Sequence, residues 1–391
     1  MLALLGAGLA LAAYLSIAGA VFGIVRYHRG VEGARLADAV VPSRWPRFRI
    51  AQGNHLINVA FQLVQRGKRR EALSHVRAGV AQSPGDRSAR LLLARLLIEA
   101  NRPDTAQQVL LEGVPFHCTD PRYLEPVFAF LIQRQADAQV VTLARGLLPA
   151  GPAHEPSHGL VALAGATASF LRGHYDLAED FIGRVPQLQR SREGRLLAAR
   201  IDWECGHGDL ALLRLRALAD ELPRDAEIHG ELVARLRQTG HENEARRRSL
   251  ALQIAEPKIA APRLALLQLA ADANDAALIA RESAGVLNDF TDAPTLAALS
   301  EFAANSGDAP LAQRVADRAA GLGLPVEPHV ILRIEALLVA REYRAALGAL
   351  RDVRASPDRR GANESLLDSL QAVAHLGLGE RETARVFIAN L

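Results

Sequence analysis

Two hydrophobic patterns divide the chain. From Leu2 to Val25 no side chain carries a charge, and nearly every position is apolar or small. A helix rises about 1.5 Å per residue, so a run of this length crosses a hydrocarbon core of about 30 Å. Beyond residue 50, small and apolar residues return on one helical face, broken at regular intervals by Gly, Asn or Pro. No sustained alternation of β-branched and polar residues is present, so the pattern predicts an all-α chain.

The interruptions keep a fixed period. A turn residue stands five positions before a small apolar one: Gly67 before Ala72, Asn101 before Ala106, Gly173 before Ala178 and Gly206 before Ala211. Gly240 before Ala245, Gly307 before Ala312 and Gly379 before Ala384 repeat it. Gln135 before Val140, Asn274 before Ile279 and Arg341 before Ala346 are degenerate copies. From position 72 the steps are 34, 34, 38, 33, 34, 34, 33, 34 and 38 residues. Each period reads as a helical hairpin: the turn ends one helix, and the small residue lets the next approach it closely.

Other offsets agree. Ala60, Ala94, Ala166, Ala199 and Ala372 lie twelve residues before a signature position, which places small residues on both helices where they cross. Val76, Leu110, Ile182, Leu215, Leu350 and Ile388 lie four residues after it, on the same face. Pro84, Pro223 and Pro257 stand twelve residues after it, with Pro115, Pro186, Pro325 and Pro357 close to that offset. They stop the second helix of the unit.

This period of about 34 residues resembles the tetratricopeptide-repeat family over roughly residues 50–391. The family's aromatic positions are mostly Leu, Val or Ala here. The resemblance implies a right-handed α-solenoid of about ten helix pairs, whose concave groove, lined by the first helix of each pair, takes peptides or partner helices. With the apolar leader included, the layout is similar to bacterial inner-membrane tetratricopeptide proteins that regulate lipopolysaccharide synthesis. Those carry a C-terminal rubredoxin-like module with paired CxxC motifs, and this chain has no CxxC. The expected division is a membrane anchor at 1–25, a basic juxtamembrane connector at 26–50 and a repeat domain at 51–391.

Composition sharpens the picture at the N-terminus. The formal net charge is only +3, yet Arg26, Arg29, Arg35, Arg44, Arg47, Arg49, Arg66, Lys68, Arg69 and Arg70 precede Glu71 with only Glu32 and Asp38 between them. Flanking arginine resists translocation, so the repeats are expected in the cytoplasm, with the cluster at the anionic leaflet. A cleavable signal peptide is the rival reading, with Ala18-Gly19-Ala20 as cleavage site; it lacks basic residues before the apolar run. Gly8, Ala12, Ser16 and Ala20 recur every fourth residue, and Gly19 and Gly23 form a GxxxG pair that would let two such helices associate. In the connector an amphipathic helix from Tyr27 to Val41 is weakened by Gly30 and Gly33, while Trp45 and Phe48 suit a membrane interface.

Candidate chemistry is sparse. His154-Glu155-Pro156-Ser157-His158 reads as HExxH, the zinc-peptidase pattern that needs both imidazoles on one helical face. A proline inside it and the lengthened repeat step around it favour a polar loop without metal. Cys118 and Cys205 have no ligand spacing and are expected to be small core residues. No phosphate-binding Gly-rich loop and no GxSxG occurs, so no cofactor and no catalytic residue are assigned. A basic stripe with interleaved aromatics is lacking, so nucleic acid is not expected.

Binding candidates are Asn54 and Asn58, one turn apart on the first repeat helix, and Arg95, Arg200, Trp203, Glu231, Gln268, Glu301 and Glu335 on later first helices. Their mixed signs point to a partner read by shape and local polarity. At the C-terminal end Ala384, Ile388 and Leu391 are spaced to face their own unit, which leaves Phe387 and Val386 as a docking surface. The expected function is a non-enzymatic, membrane-tethered scaffold that holds a protein partner. A periplasm-facing envelope or exopolysaccharide assembly factor, and a zinc-dependent hydrolase built on the HEPSH motif, are the alternatives.

Overall fold

The computed structural model describes residues 2–149, 151, 153, 155–355 and 364–391, with side chains from residue 8 onward. Among these residues there are helices and turns and no strand. The chain forms two compact units, residues 1–205 and 206–391.

Unit 1 opens with α1 (Leu2–Gly23), which continues as one widened turn at Ile24–His28. Over Gly8–His28 this is the one helix, among the described residues, long and apolar enough to cross a membrane. The chain then reverses at Gly30, whose φ of 70° suits a residue without Cβ. A short α2 (Leu36–Val40) and the turn Pro42–Arg44 lead into α3 (Trp45–Gln65). Pro46 lies in the first turn of α3, where a missing N–H has no intrahelical acceptor to lose. The amphipathic helix expected over Tyr27–Val41 is therefore replaced by a turn and five helical residues, as Gly30 and Gly33 dictate. The connector still packs: Val25, Val31, Ala34, Ala39 and Phe48 are buried together.

From α3 the hairpins follow in order. They are α3 with α4 (Arg69–Gln82), α5 (Arg87–Glu99) with α6 (Pro103–Gly113), α7 (Pro121–Gln133) with α8 (Asp137–Leu147), and α9 (Pro156–Leu171) with α10 (Tyr175–Arg184). The short α11 (Pro186–Arg190) and α12 (Arg192–Glu204) close the unit. Unit 2 starts with α13 (Gly208–Glu221). It continues as α14 (Ala226–Gln238) with α15 (Glu242–Ala255), α16 (Ala261–Asp272) with α17 (Ala276–Asp289), and α18 (Ala293–Ser306) with α19 (Ala309–Gly321). The last pairs are α20 (Glu327–Val339) with α21 (Tyr343–Ala355), and α22 (Glu364–Gly377) with α23 (Arg381–Ile388). Among the described residues, ten first helices and ten second helices thus alternate along the sequence.

The turn residues behave as the period requires. Gly67, Gly173, Gly206, Gly240, Gly307 and Gly379 all take positive φ, between 70° and 83°. The copies without glycine do the same: Asn101, Gln135, Asn274 and Arg341 lie at φ of 54–63°. The hairpin geometry therefore imposes a left-handed residue, and at Gln135 and Arg341 packing overrides the steric preference. Signature residues Ala72, Ala106, Val140, Ala178, Ala211, Ala245, Ala312, Ala346 and Ala384 are fully buried. Ile279 is only half-buried, and its neighbour Leu278 takes the buried place.

Two expectations about burial fail. Cys118 and Cys205 are both exposed, because each sits in a turn just beyond a helical segment. Ile388 and Leu391 are also exposed, since α23 ends at Ile388 before that face can pack.

Candidate partner-binding clefts

Five of the candidate residues share one register. Arg95, Arg200, Gln268, Glu301 and Glu335 each stand eleven residues before the signature position of their hairpin. That places them on the first helices α5, α12, α16, α18 and α20, about 100° around the helix from the position that faces the second helix. Arg95, Gln268 and Glu301 are exposed; Arg200 and Glu335 are half-buried. Burial pushes the Glu335 carboxyl above the usual carboxylate range.

In unit 2 this register builds a cleft of about 450 Å³. Leu264 and Phe302 supply its apolar lining, and Gln268, Glu301 and Asn305 supply polar groups. Arg237 closes one side. Its guanidinium donates to the Gln268 side-chain oxygen at 3.0 Å and to Asp272 at 2.9 Å. The ion pair to Asp272 fixes the guanidinium plane and neutralises it. Glu301 has no hydrogen-bond or ion-pair partner among the described residues. The cleft therefore offers an apolar strip beside one open carboxylate, an arrangement suited to recognition. It holds no nucleophile with a base beside it.

The remaining candidates do not join this cleft. Glu231 pairs with Arg235 one turn on at 2.8 Å, and Arg235 also reaches Gln238. Trp203 is half-buried on α12. Asn54 and Asn58 are exposed on α3 and line a separate cleft of about 850 Å³ with Arg35, Arg44 and Arg47. Phe387 folds back on its own unit: its ring stacks on His375 at 5.6 Å, nearly parallel, with the Arg354 guanidinium 6.0 Å away. Val386 remains exposed. Gly19 and Gly23 have open space around them, so a Cβ there would meet nothing within 4 Å.

The HExxH match has a local explanation. His154 lies outside the described residues. Helix α9 starts at Pro156, inside the motif, and Glu155 is its N-cap. The Glu155 backbone N–H donates to His158 Nδ1 at 3.2 Å, and the Glu155 side chain accepts from the His158 backbone. Two of the motif's three polar groups thus cap a helix end. The polar loop expected over the whole motif gives way to helix from Pro156 onward. Among the described residues no group of three His, Cys, Asp or Glu side chains is placed to hold a metal ion. The Cys205 thiol is pushed up by desolvation and by the acids Glu179 and Asp176, which holds it in the thiol form.

Sequence reasoning missed Arg237 and Phe302. Arg237 lies 34 residues after Trp203 in the same repeat register, a signal that was available. Phe302 follows Glu301 directly, and only the rotation of α18 decides that it lines the cleft.

A model of the tetratricopeptide repeat matches residues 63–125, which cover the end of α3 through the start of α7. No curated protein matches the chain. Similar solved structures include a tetratricopeptide repeat protein from Parabacteroides merdae ATCC 43184. It is 13% identical, covering 83% of this chain and 98% of that one, with a TM-score of 0.41. Yeast Tom70 is 11% identical over 97% of this chain and 91% of its own, with a TM-score of 0.42. Pseudomonas aeruginosa PilF is 13% identical over 63% and 96%, with a TM-score of 0.35. The family model is seated on α4 to α6, and the same left-handed turn returns in every later hairpin, so the repeats are hairpins of the tetratricopeptide type.

Proposed function

We propose that the protein is a non-enzymatic adaptor tethered to the bacterial inner membrane by α1, with the repeats in the cytoplasm. The cleft of unit 2 holds a segment of a protein partner. The observation that carries this reading is the joining of Gln268 and Glu301, from successive first helices, with Leu264 and Phe302 in one cleft. An apolar strip beside an open carboxylate suits a short amphipathic segment that places an apolar anchor on Phe302 and a Lys or Arg against Glu301.

Two measurements test it. Alkaline phosphatase fused after Leu391 should be inactive in cells, and the chain should stay with membranes through carbonate washing; an active fusion would reverse the orientation. Glu301→Arg with Phe302→Asp should abolish capture of the partner that the unaltered chain retains, with an unchanged helical signal. Undiminished capture by that double variant would remove the cleft from the proposal.

A further inference from the structure

The face that builds the unit 2 cleft does not end with it. The first helices α16, α18, α20 and α22 pack side by side in that order. Eleven residues before the signature position they carry Gln268, Glu301, Glu335 and Val373 in turn, Gln268 counting to Ile279 and Val373 to Ala384. The register therefore runs on from the cleft across two more helices, first to a second carboxylate and then to an apolar residue. Leu376 stands three residues beyond Val373, on the same side of α22. Both side chains are exposed, at 49% for Leu376 and 50% for Val373.

Neither carboxylate is neutralised within the chain. Glu301 and Glu335 have no hydrogen-bond or ion-pair partner among the described residues, whereas Arg237, the cation lining the cleft, is held by Asp272. Glu335 is half-buried, and burial alone raises its carboxyl, with no cation near to hold it down. A half-buried carboxylate without a counter-ion costs free energy that an incoming cation would recover. In unit 1 the same register carries Arg95 and Arg200, which would repel a basic segment.

Spacing sets what the incoming cations must be. Neighbouring helices pack with axes about 8–10 Å apart, so carboxylates in one register on α18 and α20 stand about one such step from each other. A polyproline II chain has about three residues per turn and rises about 3.1 Å per residue, which puts positions i and i+3 on one side, about 9 Å apart. Along a β-strand, positions on one face lie about 7 or 13 Å apart, which misses that step.

We propose that the groove of unit 2 runs past the cleft onto α20 and α22 and takes an extended, proline-rich basic segment of a partner protein. Two Lys or Arg three positions apart pair with Glu301 and Glu335. An apolar residue three positions beyond one of them covers Val373 and Leu376, and one beyond the other meets Leu264 and Phe302. This assignment rests on the reading of the unit 2 cleft as a binding groove, and it names that partner's chemistry.

The test titrates the full chain in mild detergent with a fluorescent decapeptide, Leu-Pro-Pro-Lys-Pro-Pro-Lys-Pro-Pro-Leu, read by anisotropy. Glu301→Gln and Glu335→Gln should each weaken binding about tenfold, with the helical signal unchanged. Val373→Ser/Leu376→Ser should weaken it about fivefold. A peptide with the lysines two positions apart should bind about tenfold more weakly than the first. Replacing one lysine by norleucine should remove the sensitivity to one glutamate variant and keep the sensitivity to the other.

Unchanged affinity in Glu335→Gln, or equal binding of the two lysine spacings, would overturn the extended groove. If Glu301→Arg/Phe302→Asp still abolishes binding in that case, the extension alone has failed and the cleft stands. Binding that survives this double variant as well, or no binding at millimolar peptide, would defeat the extension and the cleft together.

Discussion

The two units use the same hairpin and seal it differently. Unit 1 closes mainly through apolar fit. Tyr123 is fully buried, and its hydroxyl donates to the Leu110 carbonyl at 2.7 Å, which fills the space left by Gly113. Gly165 lets Phe181 approach so closely that a Cβ would come within 2.9 Å of the ring. Even the buried Arg90 satisfies its guanidinium on backbone carbonyls, those of Pro84 and Val109. Unit 2 closes through charge as well. Arg216 grips Glu244 with two hydrogen bonds, of 3.0 and 2.7 Å, and Arg263 and Arg281 converge on the buried Glu282. Two imidazoles, His229 and His329, are buried within it, the second 2.7 Å from Ser300. The apolar seams carry no group that titrates near neutral pH, and the ion pairs unit 1 adds, such as Arg87 with Asp120 at 2.7 Å, lie at its partly exposed edges. The polar seams tie unit 2 to pH and salt, and one of them, Arg237 with Asp272, forms a wall of the proposed binding cleft.

The sharpest break in the comparison is Tyr123→Ala. Emptying a large buried ring costs about 3–5 kcal/mol, and it also leaves the Leu110 carbonyl without its donor. Urea unfolding with hydrogen exchange resolved by peptide should show the loss in unit 1 peptides. Glu282→Ala should cost about 2 kcal/mol, because Arg263 is left with Asp289 alone and the Gln253 and Arg281 donors lose a buried acceptor. That loss should appear in unit 2 peptides.

A change of pH sharpens the contrast without mutation. Burial lowers both His229 and His329 below the ordinary imidazole value of about 6.5. Above that value both are neutral in folded and unfolded chains, and their contribution is complete. As pH falls below about 6.5 the unfolded chain takes up protons that the folded one resists. Unit 2 should then lose stability, by at most about 1.4 kcal/mol per pH unit for each imidazole. In unit 1 the partly buried His117 is lowered for the same reason, and a weaker slope is expected there. Peptide-resolved exchange at pH 7.5 and 5.5 measures the two slopes. The smallest effect is that of Asp272→Ala: the pair with Arg237 is about a third exposed on both sides, so less than about 1 kcal/mol is expected, and less still at high salt.

The fold was legible in the sequence to an unusual depth, because a solenoid writes its geometry once per repeat. The ten turn positions, two of them neither Gly nor Asn, follow from spacing alone, and each takes the left-handed conformation. The site was legible only in part. The register that singles out Gln268, Glu301 and Glu335 is periodic, so it can be read. The convergence of Arg237, Asp272 and Phe302 depends on helix rotation. The folded-back connector was unreadable for another reason. Gly30, Gly33, Pro42 and Pro46 erase any helical period, and its packing rests on a handful of apolar residues with no repeat to average over. Exposed Cys118 and Cys205 contradict their expected burial because each falls in a turn, where side-chain type says little about depth.

The central claim is that a partner segment lies in the cleft of unit 2 while α1 holds the chain in the membrane. Photo-crosslinking in intact cells tests it most directly, with p-benzoylphenylalanine placed at Gln268 and, as control, at Arg247 on α15. The account predicts one discrete membrane-associated adduct from position 268, absent from position 247 and lost when Glu301→Arg is added. No adduct from position 268, or the same adduct from both positions, would contradict it.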